Sequence, residues 1–172
     1  MTRPDRSRRA TPALAAVLAA GVPHEVLTYT VTEVHPGQGY GLAVARALGI
    51  DPAQMFKTLM VQGPEGQIGT AVIPVECSLE LKSAAVAFGW KRSVLATPEV
   101  AERRSGSVVG GISPLGHRRP SPVALDRSAQ DLEELGASII VSAGQRGLSL
   151  RLSPADLVRL TDAMVVPLTV PV

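Results

Sequence analysis

The spacing of apolar and polar positions changes period repeatedly along this chain, and turn or capping residues mark each change. Residues 12–20 are rich in Ala, with Thr11 placed to cap, Pro12 in the first turn and Gly21 to close, which predicts a short helix. A strand is expected at residues 25–30, then a polar loop over 31–39. The spacing predicts a helix over 40–48 that Gly49 ends, and Asp51-Pro52 opens a further helical turn. Residues 57–62 and 67–75 alternate as a hairpin around Gly63-Pro64-Glu65-Gly66. Ser78 is placed to cap a helix reaching Phe88, residues 90–95 read as a strand, and Thr97-Pro98-Glu99 begins a helix ending at Arg103 or Arg104. A short strand at 123–125, a helix at 129–135 and a second hairpin of 138–142 with 148–152 follow. Ser153-Pro154 opens the last helix, and 164–170 closes as a strand. Short paired strands between helices predict an α/β (α+β) fold, a mixed β-sheet or partly closed barrel surrounded by helices. No repeat, low-complexity run or linker divides residues 11–172, which are expected to form a single domain behind a basic tail at residues 1–10.

Composition narrows the picture. Hydrophobic residues make up 45% of the 172 and aromatic residues only 3%, so the core is built from Ala, Val, Leu and Ile. Little stacking surface is left for single-stranded bases, and any nucleic acid is expected to be held by its backbone and its end. Of the net charge of +2, the first ten residues carry +3 through Arg3, Arg6, Arg8 and Arg9 against Asp5, so the other 162 sum to −1. Within them, Lys82, Lys91, Arg92, Arg103, Arg104, Arg118 and Arg119 face only Glu99 and Glu102, a local excess suited to RNA phosphates or simply to solvent. Ser7-Arg8-Arg9 before an apolar run imitates a secretory signal, but Pro23-His24-Glu25 interrupts the cleavage pattern and no run approaches a membrane span. The localisation expected is cytoplasmic, without a membrane partner.

Several chemistries lack their parts. The sequence has no phosphate-binding P-loop, no dinucleotide fingerprint and no nucleophile elbow. Cys77, the single cysteine, excludes an internal disulfide; it stands before the cap expected at Ser78, yet no histidine lies near to activate it, and a small buried thiol is the simpler role. His24, His35 and His117 show no ligand spacing, so neither metal nor cofactor is expected. Asp126, Asp131, Asp156 and Asp162 stand near helix starts or on helix faces, where capping or solvation accounts for them.

Two distant segments carry the candidate chemistry. In Met55-Phe56-Lys57-Thr58-Leu59 a lysine and a threonine stand at the entrance to an apolar strand, where a cation can hold a phosphate or carboxylate at a sheet edge. In Val108-Val109-Gly110-Gly111-Ile112-Ser113-Pro114-Leu115-Gly116 paired glycines let the chain turn sharply and present bare N–H groups. On residues alone, Lys57 is better explained as a solvated strand-end lysine, Tyr29 and Tyr40 as amphipathic packing residues, and Gly110-Gly111 as an ordinary turn. These segments, with Thr11-Pro12-Ala13, Val141-Ser142-Ala143-Gly144-Gln145-Arg146-Gly147-Leu148 and Leu152-Ser153-Pro154-Ala155-Asp156-Leu157, resemble in order and spacing the YbaK/EbsC family of aminoacyl-tRNA deacylases, which is similar to the editing domain of bacterial prolyl-tRNA synthetases.

The resemblance implies a hydrolase acting in trans on mischarged tRNA, first of all Cys-tRNA(Pro), in which the substrate's own thiol attacks the ester while the protein positions it and stabilises the oxyanion. It implies that Lys57 holds the terminal adenosine end and that Gly110 and Gly111 supply oxyanion donors. Tyr29, Tyr40, Thr58, Ile112, Ser113, Ser142 and Ser149 would bind the aminoacyl group and line its pocket. Aminoacyl-tRNA is the implied partner, with prolyl-tRNA synthetase as a second; DNA is not. Ser149 stands where many Cys-specific members carry Asp, and Ala143 where a glycine is common. The same reaction on another small amino acid such as Ala, or a non-catalytic tRNA- or synthetase-associated binding module, are the alternatives.

Overall fold

A computed structural model describes residues 10–171. The basic tail expected at residues 1–10 therefore lies, apart from Ala10, outside the described residues. Three helices begin where the capping chemistry placed them. Thr11 accepts the Leu14 N–H at the start of α1 (Pro12–Ala20), Thr97 accepts that of Val100 before α4 (Pro98–Ser105), and Ser153 that of Asp156 before α6 (Pro154–Thr161). The remaining helices are α2 (Tyr40–Leu48), α3 (Leu81–Phe88) and α5 (Ser128–Glu134), with a 3-10 turn at Pro52–Gln54.

A mixed sheet of five strands forms the centre. Its strands are β2 (Phe56–Gln62), β3 (Ile68–Pro74), β5 (Val94–Leu95), β6 (Val123–Asp126) and β9 (Met164–Val166), in the order β5-β2-β3-β6-β9. β2 and β3 pair antiparallel from Phe56–Pro74 to Gln62–Ile68, and β6 runs parallel to both β3 and β9. β3 is buried along its whole length, as a central strand covered on both faces must be. A second, antiparallel sheet has the order β1-β8-β7, built from β1 (Glu25–Thr28), β7 (Ile139–Gln145) and β8 (Leu148–Leu152). Its side chains Ile139, Val141, Leu150 and Leu152 pack with Val72 and Leu125 of the central sheet and with Ala13, Val17 and Leu157 of α1 and α6. On the opposite face Ala71, Ile73 and Ala124 meet Leu168, Phe88 and Leu79. Full burial of residues such as Ile73 and Leu125 is worth about 1.5–3 kcal/mol each.

The expected mixed sheet with outer helices is the observed fold, with three local corrections. Ser78 does not cap a helix: residues Cys77–Leu79 form β4, paired antiparallel with β10 (Thr169–Pro171), and α3 starts later, at Leu81. The strand expected at 90–95 is reduced to β5. The closing strand at 164–170 breaks into β9 and β10 where the buried Asp126 carboxylate accepts the Leu168 N–H at 2.8 Å. No helix of the described residues is long and apolar enough to cross a membrane.

Candidate functional site

The edge of β2 is only partly covered. Its pairing with β5 is confined to Val61 and Gln62, and a single bridge joins Met55 to Ile140 of β7. The Ala96 N–H donates to the Met60 carbonyl (2.9 Å), whereas the Met55 carbonyl accepts from Val75 on the β3 side (2.8 Å). Even-numbered residues of β2 thus turn their backbone groups toward the uncovered edge, and Thr58 is the one in the gap. A cavity of about 330 Å³ opens there. Its walls come from β2, the first turn of α2, α4, the 109–112 turn, β7 and β8.

Eight of the ten expected site residues line this cavity: Lys57, Thr58, Gly110, Ile112, Tyr29, Tyr40, Ser142 and Ser149. Among the described lining residues Lys57 is the single charged side chain. Its ammonium lies 3.5 Å from the Val75 carbonyl, and burial pulls its pKa below the ordinary lysine value. The α2 N-terminus beside it, at Gly39, has no side-chain cap, so its free N–H groups add partial positive charge near the cation. Thr58 Oγ1 is buried without a hydrogen-bond partner among the described residues, an arrangement that a polar ligand atom would complete. Tyr29 is pushed up to about 12, first by burial and then by the Tyr40 hydroxyl, so it stays neutral through the physiological range. Ser149 itself is only 4% exposed.

The glycine turn is built differently from the expectation. The Gly111 N–H is not bare: it donates to the Val108 carbonyl at 2.9 Å, closing a β-turn with Gly110 at φ +89°. Gly111 is required for closeness instead, since a Cβ there would stand 2.7 Å from the Arg146 backbone nitrogen. Neither Gly110 nor Ile112 donates its N–H to any described residue. Ser113 is turned into the structure, with its hydroxyl accepting the Leu115 N–H (3.2 Å), and it does not line the cavity. The Ser142 hydroxyl donates to the Gly111 carbonyl (2.9 Å) and accepts from the Gly144 N–H (3.2 Å), so its polar capacity is spent within the protein.

Arg146 is the residue that sequence reasoning missed. It stands in the β7–β8 turn, donates from Nε (3.0 Å) and Nη2 (2.6 Å) to the Val109 carbonyl, and places its guanidinium 5.6 Å from the Tyr40 ring centroid. Its place inside a motif segment was the available signal. Cys77 lies on β4 rather than at a helix start; burial raises its thiol pKa, and it does not line the cavity. Asp126 serves as the capping group expected, accepting from Ser128 N–H and Oγ. Among the described residues no three His, Cys, Asp or Glu side chains converge.

The site thus combines a half-covered strand edge, an apolar cavity with one cation and a strapped glycine turn. The chain belongs to the aminoacyl-tRNA editing domain family, whose sequence profile matches residues 40–160. It is 32% identical, over 164 residues covering 95% of this chain and 96% of the relative, to EbsC of Enterococcus faecalis, assigned as a Cys-tRNA(Pro)/Cys-tRNA(Cys) deacylase. Solved structures share the fold, among them the following two. One, assigned as a trans-editing enzyme for prolyl-tRNA synthetase, superposes with a TM-score of 0.75 at 24% identity, covering 99% of each chain. The other, the hypothetical protein APE2540, has a TM-score of 0.79 at 23% identity, covering 92% of this chain and 99% of its own.

Proposed function

We propose that the protein hydrolyses mischarged aminoacyl-tRNA in trans, with Cys-tRNA(Pro) as its first substrate. The observation that carries this reading is a cavity that gathers one cation, unpartnered backbone N–H groups and a free threonine hydroxyl, yet no carboxylate, histidine or thiol among its described lining residues. Such a site contributes position and electrostatics, not a nucleophile. Lys57 and the α2 N-terminus hold the phosphate-bearing terminal nucleotide, Thr58 takes a polar atom of the aminoacyl group, and the Tyr29–Ser149 wall limits its size.

For a cysteinyl ester the substrate sulfur, as thiolate, bonds to the carbonyl carbon and the π electrons move to the oxygen. Collapse of that oxyanion expels the ribose oxygen, which takes up a proton, and the cyclic thioester released is opened by water in solution. For an alanyl ester, water replaces the sulfur. The EbsC likeness supports the cysteinyl ester, and the neutral Ser149, in place of a charged residue, is what leaves the alanyl ester as the alternative. We place the activity in the cytoplasm, where prolyl-tRNA synthetase makes the mischarged substrate and can hand it over. The test is a panel of aminoacyl-tRNAs incubated with the protein. Loss of the ester from Cys-tRNA(Pro), and more slowly from Ala-tRNA(Pro), is expected; protection of every ester would identify a binding module instead.

A further inference from the structure

We infer that Arg146 and Ser142 are positioning residues that aim two backbone N–H groups, those of Gly110 and Ile112, at the oxygen of the ester carbonyl. The inference rests on the deacylase reading and assigns its oxyanion donors. The carbonyl and N–H of a trans peptide point in opposite directions. Arg146 grips the Val109 carbonyl with two donors (3.0 and 2.6 Å), which fixes the Gly110 N–H on the reverse side of that peptide. Ser142 holds the Gly111 carbonyl (2.9 Å), which fixes the Ile112 N–H in the same manner. Both N–H groups lack an acceptor among the described residues, and Gly110 and Ile112 both line the cavity.

The Arg146 contact selects one of two available turns. With the Gly111 N–H bonded to the Val108 carbonyl and φ +89° at Gly110 but not at Val109, residues 108–111 form a type II turn. Type I differs chiefly by a flip of the central peptide, Val109–Gly110, and a flip would send the Gly110 N–H where its carbonyl partner now lies. Val109 is valine, which tolerates either form, and glycine at 110 opposes neither, so the sequence of the turn alone does not hold it. Glu102 Oε1, accepting the Val109 N–H at 3.0 Å, and the Arg146 fork together do. The Tyr40 ring beneath the guanidinium keeps the fork in place and ties the turn to the aminoacyl wall.

The test uses the full chain, with Arg146→Ala and Arg146→Gln. Turnover of Cys-tRNA(Pro) should fall about 10²-fold, the loss expected for one oxyanion donor, with KM within about two-fold. Added guanidinium ion should restore part of the rate in Arg146→Ala. In parallel, NMR should show the strong contact between Val109 Hα and Gly110 HN that marks type II in the wild type, and its weakening in both variants. Ser142→Ala should lower turnover in the same direction while keeping that contact, since it holds the next peptide. Raised KM at unchanged turnover would make Arg146 a phosphate contact and overturn the inference. So would a lost rate with an unchanged Val109–Gly110 contact and no rescue. If the wild type hydrolyses no aminoacyl-tRNA, the deacylase reading fails by itself, and the NMR comparison still decides whether Arg146 sets the peptide.

Discussion

Lys57 shows how one residue's neighbourhood sets its use. Burial disfavours its charged form, so the ammonium loses its proton at a lower pH than a free lysine would. Affinity for the tRNA end should therefore be constant below this depressed pKa and fall as pH rises through it. Lys57→Arg should carry the alkaline limb to higher pH, because a guanidinium keeps its charge. KM measured against pH, corrected for spontaneous ester loss, checks this; coincident alkaline limbs in the two proteins would contradict it. At this scale the sequence exposed residue types better than their engagements. Lys57, Thr58 and Gly110 were legible from their segments, but the spending of the Gly111 N–H on Val108 and of the Ser142 hydroxyl on Gly111 was not. Those bonds join positions whose approach depends on tertiary packing.

At the scale of elements, the glycine turn and the β7–β8 turn are one device. Gly111 has an ordinary φ, and its hydrogen side is filled by the backbone of residues 145–146, with the Gln145 carbonyl carbon at 2.8 Å from a built Cβ. Gly111→Ala should force the two turns apart and cost about 1–3 kcal/mol, as overpacking does. Chemical denaturation reads this directly, and an unchanged midpoint would mean that the contact yields without strain. Local chemistry made most elements readable: Thr11, Thr97 and Ser153 each accept the N–H three residues on, and α1 spans the residues expected. Ser78 misled because its pattern suits a cap as well as an edge strand. Only the pairing with β10, some ninety residues later, decides between them.

Across the whole molecule, the topology gathers basic residues from two separate segments. The Arg118 N–H donates to the Ser105 carbonyl (3.2 Å) and that of Arg119 to the Arg104 carbonyl (3.0 Å), which lays residues 118–119 along the end of α4. Arg103, Arg118 and Arg119 are exposed and form no ion pair among the described residues, so they are available to phosphates, whereas Arg104 is partly buried and donates to the Pro120 carbonyl (3.3 Å). Each contact contributes roughly 0.7–0.9 to the slope of log affinity against log salt. Replacing Arg118 and Arg119 by Ala should flatten that slope by roughly 1.4–1.8, equally for every tRNA, because backbone contacts carry no sequence information. An unchanged slope would remove these arginines from the interface. The excess of charge was legible in the sequence; its assembly from two segments fourteen residues apart was not.

The central claim is that this cavity, with Lys57 as its cation, breaks the aminoacyl ester. The most direct measurement is single-turnover loss of the ester from Cys-tRNA(Pro), followed side by side for the wild type and Lys57→Ala, with thermal midpoints recorded for both. The wild type should clear the ester well above the spontaneous rate. Lys57→Ala should fall to near that rate while its midpoint moves little, since the partly buried ammonium makes one long hydrogen bond, to the Val75 carbonyl (3.5 Å), and the cost of desolvating its charge offsets that contact. A folded Lys57→Ala protein that clears the ester as fast as the wild type would contradict the account.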